Sequence, residues 1–444
     1  MPHSPIDETV AERVEATFER MRRHNSRAAA FAARFAGAGA IEVLANGSVV
    51  TLSDGRRLVD FGSYAVTLLG HRPAAVVDAI RRQLEELPTS SRILGNEVTP
   101  LFEERLCEAL DAPRLQRVWL GCNGSDAVEA SLKLARLASG RRRVVALEGA
   151  YHGKSMGALA VTHNERYRAG LADLLGGGTH VPAEIDALVA ELERGDVAAF
   201  IFEPIQGEGG IAPVPLEFLR QAVAAARAYG VFVLADEIQV GLGRCGHVSL
   251  AGKWGLDPDA VLFGKVLGGG VMPLSAVVCS DDLYAPLKAD AFVHTMAFAG
   301  HPLSCAAGTA GLELVRELLP RSADVDAAMR GIFVDLAERY PDVVAEARGM
   351  GAAWGIECCS TEAAGHVMAE LTGHGLIHSP CLGRPQTLRL LPPLIATESD
   401  FRVAHEALAA GMAAARSAGT VSRLSRSMST SVDSAGIWRL RVSA

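Results

Sequence analysis

Nowhere in its 444 residues does the sequence hold an apolar stretch long enough to span a bilayer. Its start, Met1-Pro2-His3-Ser4-Pro5-Ile6-Asp7-Glu8, lacks the basic and apolar regions of a signal peptide. Positive charge is short as well. The 43 Lys and Arg against 51 Asp and Glu leave a net charge of -8, which argues against nucleic acid or an anionic membrane surface as the main partner. The eight cysteines, at 107, 122, 245, 279, 305, 358, 359 and 381, form no CxxC pair. Several lie in apolar segments and read as reduced, buried thiols of a cytoplasmic protein. What is plentiful is core: 49% of the residues are hydrophobic, and the length exceeds one ordinary domain.

The stretch that organises the rest runs from Val231 to Gly270. Val231-Phe232-Val233-Leu234-Ala235 is wholly apolar and ends on Asp236-Glu237; Ala260-Val261-Leu262-Phe263-Gly264 ends on Lys265, before Gly268-Gly269-Gly270. Such runs suit strands buried on both faces of a parallel sheet, and ligands bind off the carboxyl ends of those strands. Singly, Asp236 could be an N-cap and Lys265 a surface amine. Together they suggest a lysine that holds an aldehyde cofactor as a Schiff base and an aspartate that holds its protonated ring nitrogen.

In chain order, residues 7 to about 36 read as helix, and 41–44 with 48–52 as a hairpin turned on Asn46-Gly47, followed by 57–61. Strands are expected at 116–121, 143–148, 197–202, 231–235, 260–264 and 274–280, with helices at 125–138, 184–194 and 215–229 between them. Residues 303–335 read as helix, as does 398–416. Residues 417–435 are Ser-rich, a linker or tail; 437–442 alternate like an edge strand, but disorder is the expectation there.

Gly121-Cys122-Asn123-Gly124-Ser125 follows a strand and opens a helix whose Val128, Leu132 and Ala135 share a face. Free N–H groups and the helix dipole favour an anion there, and Gly124 permits close approach. An ordinary N-cap explains the stretch better on its own; with a Schiff-base lysine elsewhere, a phosphate-bearing cofactor explains it better. Tyr151, beyond the strand at 143–147, could stack on a pyridine ring or pack in the core.

These residues resemble the class III, or ω-, aminotransferases, pyridoxal 5'-phosphate enzymes of fold type I, from about residue 35 to 416. The carriers are Gly124 to Ala135, Tyr151-His152-Gly153, Glu203 to Gly210, Ala235 to Gln239 with Gly241 and Gly243-Arg244, Gly264-Lys265 with Leu267 to Gly270, and Gly300 to Ala307. Tyr151 to Leu159 and Gly268 to Pro273 are similar to putrescine aminotransferases. The resemblance implies an α/β large domain over 61–318 with a mostly parallel central sheet between helices. A smaller α+β domain would come from 1–60 and 319–416, with a tail at 417–444.

It also implies residue roles. Lys265 would bind the cofactor and shuttle the proton, and Asp236 would keep the pyridine nitrogen protonated. Gln239 would hydrogen-bond the ring hydroxyl, Tyr151 would stack, Gly124 and Ser125 would hold the phosphate, and His152 and Glu203 would belong to the surrounding shell. Arg389 would bind the α-carboxylate of an amino acid and pair with Glu208 when an ω-amine is present; alone, it would read as a surface arginine.

Two departures bear on substrate. Ornithine-type members carry Arg where this chain has Lys154, which leans towards a diamine or other amine without an α-carboxylate. The family's phosphate-binding threonine, given by a neighbouring subunit, is here Ala297 in His294-Thr295-Met296-Ala297-Phe298. That removes one charge-assisted hydrogen bond, worth about 1.5–3 kcal/mol. The expected protein is thus a homodimer that passes an amino group from a terminal amine to a 2-oxo acid. The alternative keeps fold and cofactor but turns to decarboxylation, elimination or replacement.

Overall fold

The computed structural model describes residues 9–91, 93–419 and 427–443. Residues 1–8, read above as lacking a signal peptide, and residues 420–426 of the Ser-rich stretch lie outside the described residues. Helix begins at Val10, under a capping box in which Thr9 and Glu12 satisfy each other's backbone. The single helix expected to about 36 is two, Val10–His24 and Arg27–Ala36, because the Ser26 side chain accepts from Ala29 N–H at 3.0 Å and starts a second one. The Asn-Gly hairpin forms between Glu42–Asn46 and Val49–Leu52, with Gly47 at φ +59°. Arg57–Asp60 pairs with it antiparallel, and Leu376–Ile377 adds a parallel fourth strand, so distant parts of the chain share one small sheet.

The seven-stranded central sheet runs Arg117–Gly121, Ser275–Cys279, Ala260–Phe263, Phe232–Asp236, Val197–Phe202, Arg143–Leu147, Gly178–Val181. All neighbours pair parallel except Ser275–Cys279, which is antiparallel to both of its own. The expected strands are all here. Gly178–Val181 was not expected, since Gly-Thr-His-Val is short and carries no apolar run. Val197–Phe202 and Ala260–Phe263 are buried at every position, as strands covered on both faces require. The helix expected over 303–335 divides into Pro302–Leu318 and Ser322–Arg339 around Pro320.

A six-stranded antiparallel sheet runs Ser379–Pro380, Thr387–Leu390, Ala353–Cys358, Val344–Met350, Trp438–Ser443, Ser427–Val432. The disorder expected for 437–442 is therefore corrected: the apolar side of the alternation, Trp438, Leu440 and Val442, is buried, and the strand pairs with Val344–Met350. Trp438 packs at 5.7 Å from Trp354, and Trp254 Nε1–H donates to Ala435 O at 3.0 Å. We expect Trp438→Ala to cost about 3–5 kcal/mol, read as a lower thermal midpoint of the holoenzyme. An unchanged midpoint would mean that this hairpin is not docked in solution. Among the described residues, no helix is long and apolar enough to cross a membrane.

Candidate active site

Asp236 ends its strand and Lys265 follows the neighbouring strand by one glycine, so parallel pairing delivers both to the same sheet edge. They line one cavity of about 220 Å³ with Asn123, Gly124, Ser125, Tyr151, His152, Gly153, Glu203, Ile238 and Gln239. Every residue expected to touch the cofactor is in this set. Lys265 opens a short 3-10 turn at φ +49°, a costly backbone for a non-glycine residue. Burial pushes its ammonium below the usual lysine range, against the pull of Asp236. Among the described residues its Nζ has no hydrogen-bond or ion-pair partner.

Asp236 Oδ2 meets His152 Nδ1 at 2.7 Å, and its Oδ1 accepts from Ile238 N–H at 3.1 Å. His152 is buried, its N–H donates to Thr162 Oγ1 at 2.9 Å, and its Nε2 has no partner. It therefore acts on Asp236 from behind. Glu203 accepts from the N–H of Tyr151 at 2.9 Å and of Gly207 at 3.0 Å, tying the tyrosine's loop to the loop that carries Glu208. At the helix start, Asn123 caps Gly124–Ser139 and Asp126 accepts from the N–H groups of Cys122 and Asn123, both at 2.9 Å. Gly124 and Ser125, whose N–H groups have no acceptor inside the helix, line the cavity. Gly153, at φ +133°, leaves space for Ser125: a Cβ there would stand 2.2 Å from Ser125 Oγ.

Arg389 is not on the surface. It lies buried in Thr387–Leu390, ion-paired with Glu208, its Nε–H donating to Ser379 Oγ at 3.1 Å and its Nη1–H to Gln239 Oε1 at 3.4 Å. Glu208 Oε2 also accepts from Leu382 N–H at 2.9 Å. Gln239 Nε2 is a buried donor without an acceptor. Lys154 is not brought into either cavity: it is exposed, with its ammonium 4.1 Å from the Tyr167 ring centre.

Tyr151 also lines a second cavity of about 270 Å³ with Gly149, Ala150, His163, Asn164, Glu165, Tyr167, Glu208 and Gly383. Nothing in the residue pattern of 163–167 marks that wall, since it is assembled by loop packing. A larger acidic cleft of about 650 Å³, lined by Glu103, Glu104, Glu108 and Asp111 among others, shares no residue with either. Thr295 and Ala297 are exposed and line neither cavity.

Burial beside Asp236 raises the Glu203 carboxyl from 4.5 to about 7, with His152 opposing. A carboxyl raised in the folded state holds more protons folded than unfolded between those two values, so stability falls as pH rises through that window. We expect the thermal midpoint to decline from about pH 5 to pH 7 and Glu203→Gln to flatten the decline; an equal slope in the variant would refute the assignment.

The arrangement fits pyridoxal 5'-phosphate: an unpartnered buried amine, a carboxylate on the neighbouring strand, an orphaned amide donor and a helix N-terminus surround a space the size of one substituted ring. The chain is 28% identical to ornithine aminotransferase from Toxoplasma gondii, with TM-score 0.82 over 91% of this chain and 96% of that one. It is 28% identical to an amine transaminase from an uncultivated Pseudomonas species, with TM-score 0.76 over 84% and 94%. A taurine:2-oxoglutarate aminotransferase from Bifidobacterium kashiwanohense, at 23% identity and TM-score 0.77 over 84% and 92%, shares the fold. The family profile described as "Aminotransferase class-III" matches residues 39–411. This chain belongs to the class-III aminotransferase family.

Proposed function

We propose that this pyridoxal-phosphate aminotransferase takes its amino group from a terminal amine or diamine of the putrescine type, or from an ω-amino acid, and gives it to a 2-oxo acid such as 2-oxoglutarate or pyruvate. The observation that carries the reading is the buried Glu208–Arg389 pair between the two cavities' linings: Glu208 and Tyr151 face the second cavity, while Gln239, bonded to Arg389, faces the first. When the carboxylate of an acid arrives, Arg389 offers it a planar fork, and Glu208 keeps its bond to Leu382 N–H. When an amine without a carboxylate arrives, Glu208 keeps Arg389 neutralised. The second cavity holds two carboxylates, Glu165 and Glu208, and no lysine or arginine, which suits an amine.

When bound, pyridoxal phosphate would supply an aldehyde for the amine and a ring able to accept electrons from the substrate carbon. Lys265, at the wall of the first cavity, would hold that aldehyde and move the proton at the substrate carbon. Asp236, which meets His152 Nδ1 at 2.7 Å, would hold the ring-nitrogen proton. Gly124 and Ser125 would hold the phosphate, Tyr151 would stack on the ring, and Gln239, with its unpartnered Nε2–H, would donate to the ring hydroxyl. We further propose a homodimer. Phe292 and Phe298, 84% and 64% exposed, flank the Thr295–Ala297 stretch that the family sends to a partner's phosphate. The same proposal divides the chain into a large domain over 61–318 and a small domain from 1–60 and 319–416, with a tail at 417–444.

A panel of amine donors, scored by glutamate or alanine formed, tests the reading. Turnover of diamines above α-amino acids supports it. A preference for ornithine's or another amino acid's α-carboxylate end, or consumption of donor without a new amino acid, would overturn it in favour of the corresponding alternative.

A further inference from the structure

Arg244 is a fully buried guanidinium that makes no ion pair among the described residues. Its partners are three backbone carbonyls from three remote segments: Ala352 O at 3.1 Å, Pro392 O at 2.8 Å and Ala65 O at 3.3 Å. Its Nε has no partner among the described residues. Burial lowers its pKa to about 10, so it remains charged at neutral pH. For stability alone, an apolar side chain of like volume often serves as well as a buried charge.

The three carbonyls have a common feature. Pro392 lies three residues beyond Arg389 on the same segment, and Ala352 is in the turn that opens Ala353–Cys358, the strand whose Gly355 pairs with Arg389. Ala65 ends the turn Ser63-Tyr64-Ala65, where three consecutive non-glycine residues have φ of +33°, +52° and +67°. That turn is laced to the same segment, since Leu391 N–H donates to Phe61 O at 2.7 Å and Leu394 N–H to Leu68 O at 2.8 Å. Only a fork of several N–H groups reaches all three acceptors at once; a lysine ammonium does not span them.

We propose that Arg244 is a positioning residue for carboxylate recognition: by holding the ends of the strand that carries Arg389 and of its neighbour Ala353–Cys358, and the strained turn against them, it sets where the Arg389 guanidinium meets the 2-oxo acid. This rests on the reading of Arg389 as the carboxylate site.

The test uses full-length holoenzyme carrying Arg244→Lys or Arg244→Gln, with Arg389→Lys alongside. We expect KM for the 2-oxo acid, and the inhibition constant of glutarate (a dicarboxylate without the keto group), to rise about tenfold in Arg244→Lys and further in Arg244→Gln. KM for the amine donor should stay within about twofold. A purely structural role predicts no such split. Equal movement of both KM values, movement of neither, or failure of both variants to fold would overturn the proposal. If Arg389→Lys itself leaves the acid KM unchanged, the carboxylate reading fails and takes the proposal with it, by a result visible in that variant alone.

Discussion

Lys265→Ala is expected to remove transamination almost entirely, by about 10⁴-fold or more in kcat, while leaving the protein folded. Lys265 is the only amine among the residues that line the 220 Å³ cavity, so no neighbour can take over either covalent attachment or proton transfer. Its Nζ makes no hydrogen bond or ion pair in the described structure, so truncation strands no polar partner. The removed side chain also relieves a buried, desolvated charge. Stopped assays over hours with the best amine donor, next to a thermal melt, separate loss of chemistry from loss of fold. A variant that kept more than about 1% of the wild-type kcat would place the reacting amine elsewhere.

Asp236→Asn is the next largest effect, a fall in kcat of about 10²–10³-fold. The carboxylate is buried, accepts from Ile238 N–H, and faces His152 Nδ1 at 2.7 Å. Asparagine keeps the size and the Ile238 contact but removes the charge that holds a proton on the ring nitrogen. The electron sink is then weaker when the substrate proton leaves, whereas uptake of the amine is little affected. Rapid-mixing of the amine with holoenzyme, followed at the cofactor's visible band, resolves the two stages. A slow proton-removal stage with normal amine uptake agrees with this role; wild-type rates in both would exclude it.

How much of this was legible in the residues varies with the kind of interaction. The central strands were legible because runs such as Ala260–Phe263 are apolar at every position, a pattern that only a sheet covered on both faces explains. Their polar ends, Asp236 and Lys265, fall where the strands stop, so the pairing of amine and carboxylate followed from local pattern and parallel topology. His152 was placed near the cofactor, but its grip on Asp236 is an 84-residue contact that no spacing displays. Arg389 read alone as a surface residue; its burial depends on Glu208, Ser379 and Gln239 arriving from three other segments. Arg244 stands next to Gly243 in the sequence, but its carbonyl partners at Ala65, Ala352 and Pro392 are 108 to 179 residues away in the chain. The terminal strand was misread because its alternation of apolar with basic residues means nothing until Val344–Met350 offers an edge.

The central claim is an attachment of the cofactor's aldehyde carbon to one nitrogen. Holoenzyme reduced with borohydride, digested and mapped by mass spectrometry tests it directly. The account predicts a phosphopyridoxyl group on the peptide containing Lys265, at that residue. An unmodified Lys265 from protein that carried the visible absorbance before reduction, or the group found on another lysine, would contradict it.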